Sequence, residues 1–247
     1  MRGRDFQKLG ALALALTLGG WLWRGVTLSP YQGITGPAAR YILRTAEETG
    51  ASNVVAAILF DYRGFDTLGE ASVIHTTVCG VALLFAKRRY RRSSHGLSFI
   101  VKRGMALLVP FILLYASSII VMGHLSPGGG FQGGAVMATV TVLFCVVYGS
   151  SFEAARVNPK VKETIESLGA LLFLVVGLVG LWAGGEFLSN GAAGFHLGTR
   201  GHLFSGGTIP LLNVAVGMKV GAGLSTLFYS MVKILEDPTE SSPEVPS

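Results

Sequence analysis

The stretch His124–Val136, HLSPGGGFQGGAV, joins two apolar runs, residues 104–123 and 131–149. Each run is close to the roughly 20 residues that an α-helix needs to cross a bilayer. Five glycines in one loop suggest a phosphate cradle. That cradle needs a Lys-Ser/Thr ending, and this loop has none. A membrane supplies the other reading. Pro127 and the glycines permit a tight backbone path between two spans, and the Gly133–Gly134 pair lets the second helix start close against a neighbour. Non-helical backbone at this depth is tolerated only against protein or water. The loop is therefore expected to pack on a partner helix or a hydrated cavity, with His124, Ser126 and Gln132 as its polar side chains.

Four further segments of similar character, 8–26, 67–86, 165–188 and 208–232, bring the expected spans to about six. The composition agrees. Half of the 247 residues are hydrophobic and only 14% are charged, against about 25% charged in soluble domains. The expected class is an all-α integral membrane protein, multi-pass in the cell membrane. Six alternating spans place fourteen lysines and arginines on one side and five on the other. The rich side includes the run KRRYRRSSHGLSFIVKR, with Arg156, Lys160 and Lys162 counted as loop charges. By the positive-inside rule both termini are cytoplasmic. The net charge of +6 thus serves topology and contact with the lipid bilayer, and nucleic acid is not an expected partner. The basic start MRGR followed by an apolar run also resembles a signal peptide. Trp21 and Trp23 and the lack of a clear cleavage site favour a retained helix.

Ionisable groups inside a span are expensive unless paired or hydrated, so each is a candidate site. Asp66 and Glu70, four residues apart, share one helix face, which Thr77 continues. Two neighbouring carboxylates exchange protons or hold a partly dehydrated cation. The plainer alternative has Asp66 capping its helix and pairing with Arg63. Glu70, one turn deeper, is the stronger candidate. His75 is rotated away from that face and joins the pathway as a further titratable group. Lys219 falls near the middle of the last span. There it either switches charge and biases neighbouring protons, or pairs statically with a carboxylate of a partner protein. Asn213 reads as a polar crossing contact, and Gly217/Gly221 and Gly180/Gly184 read as close-packing pairs. Cys79 and Cys145 read as buried small hydrophobes, and His196 and His202 lack the partners a zinc site needs. Neither a metal nor any other cofactor is expected in this chain, nor catalytic residues of its own.

The loop HLSPGGGFQGGAV, framed by helices, resembles the MnhB family, the B-type components of Mrp-type multisubunit sodium/proton antiporters and their counterparts in membrane-bound hydrogenases. Residues 100–235 fit its four-span layout. A second resemblance covers residues 8–90. There NVVAAILFDYRGFDTLGEASV looks like the C-terminal part of the large A-type Mrp component, which is a separate small E-type component in membrane-bound hydrogenases. The implied organisation is a two-span segment over 1–95, a four-span domain over 96–235 and a disordered tail over 236–247. The implied function is a non-redox membrane component of an antiporter module, with other Mrp- or hydrogenase-type membrane proteins as partners and Na+ and H+ as the ions moved. By that likeness Asp66 and Glu70 lie on the cation path. His124, Ser126, Pro127, Gly128, Gly129, Gly130, Phe131, Gln132, Gly133 and Gly134 form the B-type signature. Lys219 lies outside both motifs. The alternatives are a purely structural spacer between antiporter components and the rest of a complex, an independent carrier, and a membrane enzyme, the last two ranked lowest.

Overall fold

The structure, a computed structural model, describes residues 3–28, 36–85 and 97–235, with no strand among them. The helices are α1 (Gly3–Leu28), α2 (Pro37–Thr49), α3 (Val54–Ala57), α4 (Gly64–Phe85), α5 (Phe99–Val121), α6 (Gly130–Tyr148), α7 (Ser150–Arg156), α8 (Pro159–Gly184) and α9 (Ile209–Leu235). A π-helical turn, Ile58–Tyr62, links α3 to α4. Among the described residues, five helices are long and apolar enough to cross a membrane: α4, α5, α6, α8 and α9. They match five of the six expected spans. The sixth falls on α1, a 26-residue helix with an apolar stretch at Leu12–Trp21. The described residues up to Arg40 form one compact unit and those from Tyr41 onward another. The basic residues Lys87–Arg92 and the tail 236–247 lie outside the described residues.

Within the second unit the bundle is organised around α9, which packs on α6, α8 and α4. Its span is 56% buried, while those of α4 and α5 are only 17% buried. Where every side chain and the surrounding lipid are equally apolar, helices associate by close van der Waals fit, and small residues allow it. A Cβ on Gly134 of α6 would lie 3.0 Å from the Gly217 carbonyl and the Gly221 amide of α9. On the other side of α9, a Cβ on Gly169 of α8 would lie 2.6 Å from the Ala215 carbonyl. The Gly217/Gly221 pair thus works between spans, as expected. The Gly180/Gly184 pair instead meets Ser189 and Ala193 of the loop that follows α8.

Caps and turns set the element ends. Asn158 accepts from the Lys160 amide at 3.0 Å and Pro159 opens α8, both favoured at a helix start. The amide of Gly130, an orphan donor at the start of α6, is satisfied from α9 by Asn213 Oδ1 at 2.9 Å. The expected polar crossing contact is therefore an inter-helix cap. The signature loop finds its partner inside this chain. The carbonyl of His124 accepts from the Ser52 and Asn53 amides, both at 3.0 Å. Asn53 Nδ2 donates to the carbonyls of Gly123 at 2.7 Å and Ser126 at 2.9 Å. Asn190 pins the remaining cap, accepting from the Thr208 amide at 2.9 Å and donating to the Gly206 carbonyl at 3.2 Å. Cys145 is buried as expected, but Cys79 is exposed, because it lies on the open side of the sparsely buried α4.

The α6–α9 seam yields a direct test. A Gly134→Leu chain is expected to lose about 1–3 kcal/mol of stability to overpacking. Gly104→Leu, at a position with open space around it, is expected to match the parent. Thermal scanning of the two detergent-solubilised variants separates these outcomes.

Candidate functional site in the membrane

The buried charges of α8 and α9 define the site. Glu166, two turns into α8, is 5% exposed, while Lys219 of α9 is 6% exposed. Lys219 Nζ lies 3.4 Å from Glu166 Oε1. The same oxygen is 2.9 Å from Nδ1 of His75, which projects from α4. One carboxylate oxygen is thus shared by two nitrogen donors from two other helices. Room for the carboxylate comes from Gly223, where a Cβ would sit 3.5 Å from it. A cavity of about 220 Å³ opens beside the cluster, and Ser72, His75, Thr76 and Lys219 are among its lining residues.

The arrangement gathers a carboxylate, a lysine amine and an imidazole from three helices around one oxygen. A carboxylate held this way can take a proton and release either nitrogen, or exchange a nitrogen donor for a dehydrated cation. Breaking such a buried pair by removing one partner is strongly destabilising. That cost explains why Glu166 and Lys219 occur together. The lysine therefore pairs within its own chain, where a carboxylate of another protein was the expected static partner.

The acidic pair of α4 is placed differently. Asp66 and Glu70 are both exposed on the open face of that helix. Asp66 forms an ion pair with Arg63 three residues before it, the pairing half of the plainer expectation. Glu70 has no partner among the described residues. His75, one and a half turns on, faces inward enough to reach Glu166 although its side chain is 57% exposed. The structure brings His75 and Lys219 together and leaves Asp66 and Glu70 on the surface.

Two residues of the buried network do not stand out in the sequence. Glu166 is second in the segment 165–188, where a carboxylate resembles an interfacial residue. Lys162, a loop charge by sequence, instead lies inside α8, 3% exposed and paired with Glu153 of α7, itself 0% exposed. The helix begins at Pro159, more than a turn before the apolar run. That puts both residues inside the bundle. The proline at the first position was the available signal.

The signature loop carries a different character. His124 is fully buried. Burial pushes its pKa down, and the nearby backbone of His202, Leu203 and Val121 opposes this. Among the other signature residues, Gly129, Gly130, Gly133 and Gly134 are buried and Ser126, Pro127 and Gln132 exposed. This loop is a packing device at the end of α6, separate from the Glu166 cluster.

These features define a membrane protein built around a polar site between its own helices. A sequence model described as a domain related to the MnhB subunit of Na+/H+ antiporters matches residues 100–226. A second model, MbhE, named for the E-type component of MBH, matches residues 10–104. The chain belongs to the MnhB-related family, joined to an MbhE-type segment. It is 34% identical to an uncharacterized protein of Methanocaldococcus jannaschii over 78% of this chain and 82% of that one. It is 30% identical to a probable K(+)/H(+) antiporter protein of Rhizobium meliloti, of combined A/B type, over 75% of this chain but 21% of that longer protein. Among solved structures, it matches a chain of the membrane-bound sulfane sulfur reductase, an archaeal respiratory membrane complex. The TM-score is 0.78 and the identity 36%, covering 92% of this chain and 99% of that one. A chain of the Mrp complex from Dietzia sp. DQ12-45-1b shares the fold, with a TM-score of 0.73 at 23% identity, over 98% of this chain and 27% of that one.

Outside the spans, Asp61 of the π-helical turn offers a test of the electrostatics. Burial raises its pKa from 3.8 to about 6; the Asn190 backbone amide opposes this, and the nearby Glu48 and Glu186 add to it. A carboxyl whose pKa is raised by folding takes up a proton on folding between pH 4 and 6. Stability is then full below pH 4 and falls as pH rises to 6. Asp61→Asn removes that loss while keeping an oxygen for the Asn190 amide. The variant is expected to match the parent at pH 4 and to melt higher at pH 8, by thermal scanning of the detergent-solubilised protein.

Proposed function

We propose that this chain, a component of an Mrp-type antiporter or a related respiratory membrane complex, contributes a segment of the cation and proton path. It does so among other membrane proteins, in the cell membrane, with both termini cytoplasmic. The observation that carries this reading is the sharing of Glu166 Oε1 between Lys219 and His75 beside a cavity. A static packing element has no need of an imidazole that is half open to its surroundings. When Glu166 takes a proton, Lys219 loses its counter-charge and His75 its acceptor, and both are freed to bind or pass on charge. Asp66 and Glu70, on the open face of α4, belong in this reading to the contact with a neighbouring protein, where their carboxylates meet the moving ion. Sodium and protons are the proposed ions. The Rhizobium relative, named for potassium, makes the identity of the monovalent cation a matter for assay.

The competing reading is a spacer whose charges pair only to hold helices together. Glu166→Gln separates the two. In the transport reading the complex assembles and its cation-dependent proton exchange in vesicles falls at least tenfold, while Glu166→Asp retains part of it. Wild-type exchange by an assembled Glu166→Gln complex would overturn the site. Loss of assembly on native gels, with Lys219→Met restoring it, would favour the spacer. Glu70→Gln, measured alongside, reports on the α4 face independently.

A further inference from the structure

A second buried ion pair lies one turn from the first. Lys162 of α8 pairs with Glu153 of α7, at 3% and 0% side-chain exposure. Lys162 and Glu166 are four residues apart on one helix, hence on the same face, with about 6 Å of rise between them. The facing helix, α9, follows both. Gly223 lies against the Glu166 carboxylate, and the Tyr229 ring lies 4.7 Å from Lys162 Nζ. Thr226 is three residues from each, on the same side of α9.

Two polar atoms along this seam are buried without a partner: the second carboxylate oxygen of Glu153, Oε2, and the hydroxyl of Thr226. Buried polar atoms are nearly always satisfied, and a carboxylate oxygen left bare in a fully buried residue is costly. Glu153 Oε2 belongs to the second ion pair, and Thr226, three residues from both Gly223 and Tyr229, holds a register position on α9 between the two pairs. The alternation of Glu153, Lys162, Glu166 and Lys219 places each cation beside a carboxylate on α7 or α8.

The geometry points to a proton relay along the α8–α9 seam, running from Glu153 at the 149–158 end of the bundle, through Lys162 and the Thr226 hydroxyl, to Glu166. It rests on the proposed role of Glu166 and adds the route by which that carboxylate exchanges protons with one side of the membrane. In one cycle the Lys162 ammonium gives a proton through the Thr226 hydroxyl to the Glu166 carboxylate, leaving a neutral amine and a carboxylic acid. Glu153 takes a proton on Oε2 from the 149–158 end. The carboxyl then turns to bring that proton to the Lys162 amine, which lies against Oε1, so the pair returns to its ionised form. One proton has moved and no charge is left behind on the pair. Tyr229 packs on the ammonium and holds it in line; it is a positioning residue.

The test uses the intact complex in proteoliposomes, with cation-driven proton movement followed by a pH-sensitive dye. Glu153→Gln combined with Lys162→Met removes both charges and leaves similar volume, a replacement that is often neutral for stability. This double variant is expected to assemble and to lose proton movement at least tenfold. Thr226→Val, nearly isosteric, is expected to assemble and slow it several-fold. If the double variant assembles and transports as the parent does, or fails to assemble at all, the pair is a packing device and the relay is overturned. Wild-type rates for Thr226→Val would remove the hydroxyl from the route and overturn the relay as drawn. In each of these cases a loss in Glu166→Gln still stands, so failure of the relay is distinguishable from failure of the site.

Discussion

The contact between Glu166 and Lys219 is the interaction that the rest of the bundle accommodates. A charge inside the hydrocarbon layer is stable only when paired or hydrated, and here the pair spans the α8–α9 seam. Keeping it requires α8 and α9 to lie close, and Gly169 and Gly223 supply the space, one for backbone and one for the carboxylate. The placement of α4 follows as well, because His75 reaches the same carboxylate oxygen. An MbhE-type segment and an MnhB-type domain thus meet at one buried oxygen.

That meeting gives the fused chain a physical sense. The family matches place the joint near residue 100, whereas His75 and Glu166 bridge it. The signature loop bridges it again at the other end, where the Ser52 and Asn53 amides and the Asn53 side chain hold residues 123–126. Two separated polar contacts, one inside the apolar layer and one at the capped end, fix the orientation of α4 on the bundle. Joining the segments in a single chain keeps these weakly driven contacts together, since lipid provides no hydrophobic force between helices.

Much of the fold is legible in the sequence. Length and apolarity mark about six spans, five of which are long apolar helices in the structure, and the glycine spacing at 217 and 221 anticipates a close helix seam. Lys219 is recognisable as a membrane-buried cation because its depth leaves it no route to water. Glu166 is not, since it stands at the edge of an apolar run, and only the start of α8 at Pro159 carries it inside. Lys162 reads as a loop charge for the same reason. The expectation that Lys219 finds its carboxylate in another protein gives way to a partner 53 residues earlier in the same chain. Glu70, the foremost candidate by spacing, lies on an open face.

The sequence by itself determined that this is a helical membrane protein of the MnhB-related kind, because hydrocarbon imposes length, apolarity and internally satisfied backbones on every span, and those demands are written residue by residue. Only the tertiary structure decided which charges meet. Pairing depends on the rotation and depth of each helix against its neighbours, and these are set by side-chain fit between segments far apart in the chain. A carboxylate on α8, an ammonium on α9 and an imidazole on α4 carry no mutual signal in spacing, and they become one site when the glycines of the seam let the helices close.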